Sequence, residues 1–272
     1  MPANPDRLAG QHVLVIGGSA GIGRGVVEAA LAAGSRVTLT GSSQRSADAA
    51  VSAVLSSFSP SSSPAPQLTG LGCDLLAPDD DAVESALEDL FARVEQTVGA
   101  VDHVVLTAAD GLAICGVGDL SAGRVRGVVR MRMLVPILLG KVAQKHFSKA
   151  KEEGEDKGKD KSLVFTTGGI ADQPAPGWSL MSYVMAGTNA LARNLALDLA
   201  PVRVNAVEPG AVDTGLWGGA KERADVRRQG AERLPTRRVA DPADVAEAYV
   251  YLMRDRNATG EVVKTRGGAH LV

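Results

Sequence analysis

His12-Val13-Leu14-Val15-Ile16-Gly17-Gly18-Ser19-Ala20-Gly21-Ile22-Gly23 stands near the start of the chain, and its reading decides the fold. The first five residues make a short, mostly apolar run that suits a buried strand. Four glycines follow within seven residues, and a helix-period pattern then runs over 21–33 and stops at Gly34. Strand, glycine turn and helix in that order present backbone N–H groups at a helix N-terminus, where the dipole and the unpaired donors favour an anion. A glycine cluster alone would be a tight turn. In this context it reads as a nucleotide cradle, because a pyrophosphate needs close approach to the backbone.

Working outward, further strands are predicted at 36–40, 68–72, 103–107, 163–167, 203–207 and 261–264, each separated from the next by a helix-length segment. That βαβ alternation predicts an α/β fold, a doubly wound parallel sheet with helices on both faces. Two stretches break the rhythm. Residues 56–67 (SSFSPSSSPAPQ) and 151–161 (KEEGEDKGKDK) are too polar to order themselves and are read as solvated surface loops. Neither divides the chain into two apolar halves, so residues 1–272 are read as a single domain.

Composition narrows the function. The chain has 272 residues, 45% of them hydrophobic, and a formal net charge of −2, so no basic excess marks a nucleic-acid binder. Two cysteines, Cys73 and Cys115, make neither a disulfide scaffold nor a cysteine zinc site, and no metal is expected. No apolar run approaches the length of a membrane span, and the first residues lack a secretory leader. The expectation is a cytoplasmic enzyme acting on a small molecule, with no nucleic-acid or membrane partner.

The spacing G-x-x-x-G-x-G over Gly17, Gly21 and Gly23 resembles the short-chain dehydrogenase/reductase superfamily, and other marks of that family follow. They are Cys73-Asp74-Leu75, the segment Val204 to Thr214 with Pro209-Gly210 inside it, Asp241-Pro242-Ala243-Asp244, and the terminal Gly267-Gly268. The resemblance implies a Rossmann-like sheet of about seven parallel strands. It assigns Gly17, Ser19, Gly21, Ile22 and Gly23 to the pyrophosphate turn, and Asp74 and Leu75 to the adenine. Ala108 and Ala109 follow the fourth strand, and Pro209, Gly210, Val212 and Thr214 hold the nicotinamide end. After the second strand the chain reads Thr40-Gly41-Ser42-Ser43-Gln44-Arg45 with no acid to pair a ribose hydroxyl. Ser42, Ser43 and Arg45 suit a 2′-phosphate, so the cofactor expected is NADP(H). The family also implies a homo-oligomer, a tetramer or dimer, paired through the helix carrying Arg132, the helix over 181–200 and the last six residues.

The family's proton relay is missing. Met181 and Met185 stand where the Tyr and Lys belong, Gly168 replaces the Ser, and Arg132 replaces the helix Asn. Tyr183 is two positions out of register, about 200° round the helix, and is read as a packing residue. Reducing a ketone produces an alkoxide that needs a proton, whereas hydride addition to an iminium only neutralises a charge. Two polar residues occupy the vacancy. Arg132 shares a helical face with Val125, Val128, Val135 and Leu139 and so points inward, where a guanidinium needs an anion. Asp110 follows a strand end at the ligand-binding edge of the sheet and is the predicted partner. Whether the pair is catalytic or a structural ion pair stays open.

Asp110, Arg132 and Pro174-Ala175-Pro176-Gly177-Trp178 resemble a narrower group, the fungal reductases of malbrancheamide and paraherquamide biosynthesis. That resemblance implies NADPH-dependent reduction of a cyclic-dipeptide-derived iminium of an indole alkaloid, coupled to an intramolecular Diels–Alder cycloaddition. Asp110, Arg132 and Trp178 carry over as the catalytic set. The group's acid does not, because Ala175 stands in its place. Trp178 reads as an apolar wall or as a core aromatic, and Trp217, within 215–238, as part of a mobile lid. The rival readings are a pericyclase or other shape catalyst with NADP as structure, an atypical carbonyl reductase, and a non-catalytic family member.

Overall fold

Seven parallel strands form one sheet in the order β3-β2-β1-β4-β5-β6-β7. The structure is a computed structural model that describes residues 7–58, 65–76, 79–152 and 160–272, the side chains of 148–152 excepted. In chain order the strands are β1 (His12–Ile16), β2 (Arg36–Gly41), β3 (Gln67–Gly72), β4 (His103–Leu106), β5 (Ser162–Thr166), β6 (Arg203–Pro209) and β7 (Val262–Thr265). The predicted strands therefore all form, with ends shifted by two residues at most. The helices are α1 (Gly21–Ala32), α2 (Gln44–Leu55), α3 (Asp80–Thr97), α4 (Ala122–Val129), α5 (Val135–Glu152), α6 (Ser179–Asp198), α7 (Ala220–Arg233) and α8 (Pro242–Arg254).

The five inner strands are buried on both faces while the edge strands β3 and β7 stay partly open, and the two-residue side-chain period sorts the inner residues into two cores. Leu14, Ile16, Leu163 and Phe165 pack with Leu87, Phe91 and Leu139 from α3 and α5. Val13, Val15, Val37 and Val164 pack on the opposite face with Val26, Val27 and Tyr249 from α1 and α8. Each fully buried Leu or Phe contributes about 2 kcal/mol over leaving it in water. A smaller cluster, Ala113, Val128, Leu180, Met181, Val184 and Met185, lies between α4 and α6 beside the open end of the sheet.

The order of strands reverses at β1, which lies between β2 and β4 with register pairs Val13↔Val37 and Val13↔His103. A crevice outside the C-terminal ends of the strands is the expected consequence at such a switch point.

One predicted loop is corrected. The segment 151–161 is not a solvated loop throughout: α5 continues through Glu152, and Lys161 is buried, its Nζ donating to the Val101 carbonyl at 2.6 Å with Asp102 at 3.6 Å. A local acceptor and a nearby carboxylate offset the burial of that ammonium, which composition alone does not reveal. The remainder, 153–159, and the centre of the other predicted loop, 59–64, lie outside the described residues. Among the described residues no helix is long and apolar enough to cross a membrane, and no group of three or more His, Cys, Asp or Glu is placed to hold a metal.

Candidate active site

The glycine turn has the geometry that its composition implies. Gly17 adopts φ +90°, and a Cβ on it would lie 2.4 Å from the Ala108 nitrogen. A Cβ on Gly23 would lie 2.2 Å from the Gly17 carbonyl oxygen and 2.4 Å from Thr107 Oγ1. Only hydrogen fits at either place. The Gly17 N–H donates to Thr40 Oγ1 at 3.0 Å, which ties the turn to the end of β2. Ala20 at the N-cap of α1 has no side-chain acceptor, so no side chain of the cap competes for the first N–H groups of that helix. A close-packed glycine turn running into an uncapped helix fits a dinucleotide pyrophosphate.

A cleft of about 900 Å³ opens above this turn. Gly17, Ser19, Gly21, Ile22 and Gly23 line its floor, and Ser42, Asp74 and Leu75 line one end. Ala108, Ala109, Pro209, Gly210, Val212 and Thr214 border the middle, so these predicted cofactor contacts share one cavity. Two do not reach its wall. Ser43 caps α2, accepting from the Ser46 N–H at 3.2 Å while its own N–H donates to Ser46 Oγ, and Arg45 is exposed in the first turn of that helix. A Ser at a helix start is claimed by capping, which explains why Ser42 lines the cleft and Ser43 does not.

The other half of the cleft is largely apolar. Met181 and Met185 line it where the family relay would stand, with Trp178, Trp217, Ile170 and Leu112 around them. Gly168 also lines it, and a Cβ there would meet nothing nearer than Met185 Cγ at 4.0 Å, so nothing steric excludes a serine. Tyr183 is 62% exposed, on the far side of α6; it neither faces the cleft nor packs in the core. The rings of Trp178 and Trp217 stand 6.3 Å apart at 59°, and Trp217 Nε1 donates to the Val212 carbonyl at 2.8 Å.

Asp110 and Arg132 meet as the sequence predicts. Arg132 Nε lies 2.9 Å from Asp110 Oδ1, and Nη2 donates to the Asp110 carbonyl at 2.7 Å. Arg132 is buried and Asp110 half-buried. Burial raises the Asp110 carboxyl above its usual range, and the guanidinium opposes that shift; burial lowers Arg132, and Asp110 opposes it. Each charge favours the ionised form of the other against that burial.

Three polar or helix-breaking residues stand out among the lining residues that escaped the sequence reading. Pro136 and Thr188 flank Arg132, and Pro136 inside a helical pattern was the available signal. Arg266 is 5% exposed, is paired with Asp172 at 2.7 Å and with Glu208, and crosses beneath Gly169. Its position just before Gly267-Gly268, at the C-terminal end of a strand, was the clue.

A dinucleotide cradle at the switch point of a parallel seven-stranded sheet defines a nucleotide-dependent oxidoreductase of Rossmann type. The chain belongs to the SDR-like Rossmann domain family, whose model matches residues 4–272, and so stands among the NAD(P)-dependent short-chain dehydrogenases/reductases. It is 38% identical to the short-chain dehydrogenase/reductase fsr5 of Gibberella fujikuroi, over 97% of this chain and 96% of that one. It is 34% identical to malC of Malbranchea aurantiaca over 97% and 96% of the two chains. The solved structure of the MalC reductase/Diels-Alderase superposes with a TM-score of 0.85, covering 98% and 99%. An NADPH-bound short-chain oxidoreductase of Pseudomonas aeruginosa with an atypical catalytic center, 25% identical, superposes at 0.80 over 95% and 96%. The NADP(H) expectation agrees with the family and with that member.

Proposed function

We propose that the chain is an NADP(H)-dependent reductase that delivers hydride to an iminium-type carbon of a bulky, cyclic-dipeptide-derived or indole-alkaloid substrate. The carrying observation is an intact dinucleotide cradle beside Met181, Met185 and Gly168, residues that offer no proton to an alkoxide. When bound, the nicotinamide supplies the hydride. Gly17, Gly21 and Gly23 seat the pyrophosphate. Asp110 and Arg132 orient the amide or charged part of the substrate, and the Asp110 carboxylate favours a cation in the apolar cleft. Trp178 and Trp217 add apolar wall to the cleft, and residues 215–238 close over it as a lid. A protein whose catalytic centre is atypical yet binds NADPH supports the view that the family retains the cofactor when the centre changes.

The malC relative is named as a reductase and Diels-Alderase, which favours a second reading in which the cleft also shapes a [4+2] cycloaddition. Ala175 weighs against an acid-assisted form of that step, since it brings only a methyl group to the cleft wall. A homo-oligomer belongs to the same proposal: Ile137, Tyr183 and Leu197 on α5 and α6, with Leu271 and Val272, are apolar surface that pairing through those helices would cover.

Rapid mixing of enzyme and NADPH with a cyclic iminium is expected to show loss of the reduced-nicotinamide absorbance in one turnover. No loss above the enzyme-free rate, or equal rates with a matched ketone, would overturn the proposal. Cycloaddition that depends on enzyme but not on the redox state of the cofactor would favour the shape catalyst.

A further inference from the structure

The turn that carries Arg132 is irregular, and its irregularity has a visible cause. After α4, residues Arg130–Leu134 form one π-helical turn in which the Val135 N–H reaches back to the Arg130 carbonyl. In a regular α-helix the Arg132 carbonyl would accept from the amide of residue 136. That residue is Pro136, which has no N–H and whose ring crowds the carbonyl four positions before it. A buried carbonyl is seldom left without a donor.

Thr188 supplies one from the facing helix. It is 5% exposed on α6, and its Oγ1 lies 3.0 Å from the Arg132 carbonyl oxygen and 3.0 Å from that of Val184. Val184 sits in the regular part of α6, where the helix's own N–H already serves its carbonyl. The Arg132 carbonyl lacks the α-helical donor four positions on, because Pro136 has no N–H, so it is the acceptor to which the hydroxyl proton is assigned. Both Thr188 and Pro136 also line the cleft.

We propose that Thr188 is a positioning residue: its hydroxyl, acting with Pro136, fixes the π turn and thereby holds the Arg132 guanidinium against Asp110 and toward the substrate. This rests on the reading of Arg132 as a substrate-orienting group. A π turn accommodates one residue more than an α turn, and losing that residue's worth of winding rotates one flank against the other by about 100°. Val128 before the turn and Val135 and Leu139 after it are all buried, so the core fixes both flanks. Relaxation without the Thr188 bond is therefore confined to the turn itself, where Arg132 sits.

The test compares the wild type with Thr188→Val, which keeps the shape and removes the proton, Thr188→Ala, which keeps the fold should the valine fail to pack, and Thr188→Ser, which restores the hydroxyl. Hydrogen exchange of peptides spanning 128–137 reads the turn without any substrate. Reduction of a cyclic iminium reads Arg132. Loss of the hydroxyl is expected to speed exchange in that segment alone and to lower kcat by about tenfold to a hundredfold, the scale of a sub-ångström to 1 Å misplacement. NADPH affinity stays at the wild-type value, and Thr188→Ser recovers both readouts. Unchanged exchange in the valine and alanine variants, or a serine variant as impaired as they are, overturns the proposal. If the wild type itself reduces no iminium, the functional reading falls, while faster exchange rescued by serine still upholds the role of Thr188 in the turn.

Discussion

Arg132 brings a cation into a wall made otherwise of methionine, valine and tryptophan, and its side chain is 9% exposed against 23% for Asp110. Desolvating both charges consumes most of what their attraction supplies, so the intact pair adds little net stability, while a lone survivor is costly. Asp110→Leu is therefore expected to lower the unfolding free energy by about 2 kcal/mol, less than for a fully buried pair because Asp110 keeps some water. Adding Arg132→Leu is expected to restore most of that stability. Turnover, in contrast, is expected to stay at least about a hundredfold down in both variants. Denaturant titration beside iminium reduction checks this, and turnover that recovers with stability would make the pair structural. At this scale the sequence was informative: the spacing of Val128, Arg132, Val135 and Leu139 placed Arg132 inward, and the strand end placed Asp110. Arg45 stands outside the cleft wall on the exposed first turn of α2, a position that one sequence does not distinguish from a phosphate contact.

Helix α7 shows a different balance. It buries only Gly230, and its seat depends on Asp213, whose Oδ1 and Oδ2 each accept a 2.7 Å hydrogen bond, from Arg223 and Arg227 respectively. Exposed ion pairs of this kind contribute about 1 kcal/mol or less each. Asp213→Asn is thus expected to leave the thermal midpoint within a few degrees of wild type, while amides of 220–233 exchange several-fold faster and the substrate KM rises. An unchanged exchange pattern would show that Trp217 and the helix ends hold this segment without Asp213. Among the elements, the inner strands were legible as short, largely apolar runs between glycine or polar breaks, and the edge strands β3 and β7 by their place in the βαβ alternation. The π turn was not, since Val128, Arg132, Val135 and Leu139 stand at spacings that an unbroken α-helix would also show. Lys161 was misplaced because its partners, the Val101 carbonyl and Asp102, are brought by a neighbouring strand and not by its own segment.

Across the whole molecule the two ends of the sheet titrate in different ranges. His12 and His103 lie at the N-terminal ends of β1 and β4, opposite the cleft, where burial holds both imidazoles below their usual pKa of 6.5. His103 is bonded to Ser162 at 2.8 Å and to Gln11 at 2.7 Å. A depressed folded pKa means that the unfolded chain takes up the proton first. The stability from these groups is therefore present above about pH 6.5 and is lost as pH falls, at about 1.4 kcal/mol per pH unit for each histidine kept neutral in the fold. Asp172 and Asp244 are lowered to about 2 by their arginine partners, Arg266 and Arg238, so their contribution persists to about pH 4 and fades below it. Asp110, raised by burial, has the opposite sign and is relieved by acid. Denaturation midpoints are expected to decline in two steps, the first beginning near pH 6.5 and flattened by His103→Gln. A single step below pH 4 would remove the histidines from the account.

Met185 and its neighbours have a chemical consequence apart from proton supply. Iminium ions arise from aldehydes and amines, and such electrophiles condense with any free amine or thiolate they meet. No lysine and no histidine is among the described residues lining the cleft. Its one thiol, Cys73, is pushed up to about 11 by burial and so remains protonated. A cleft walled by thioethers and indoles is inert toward a reactive carbonyl compound, so an electrophilic substrate of the proposed kind would leave it without becoming covalently trapped.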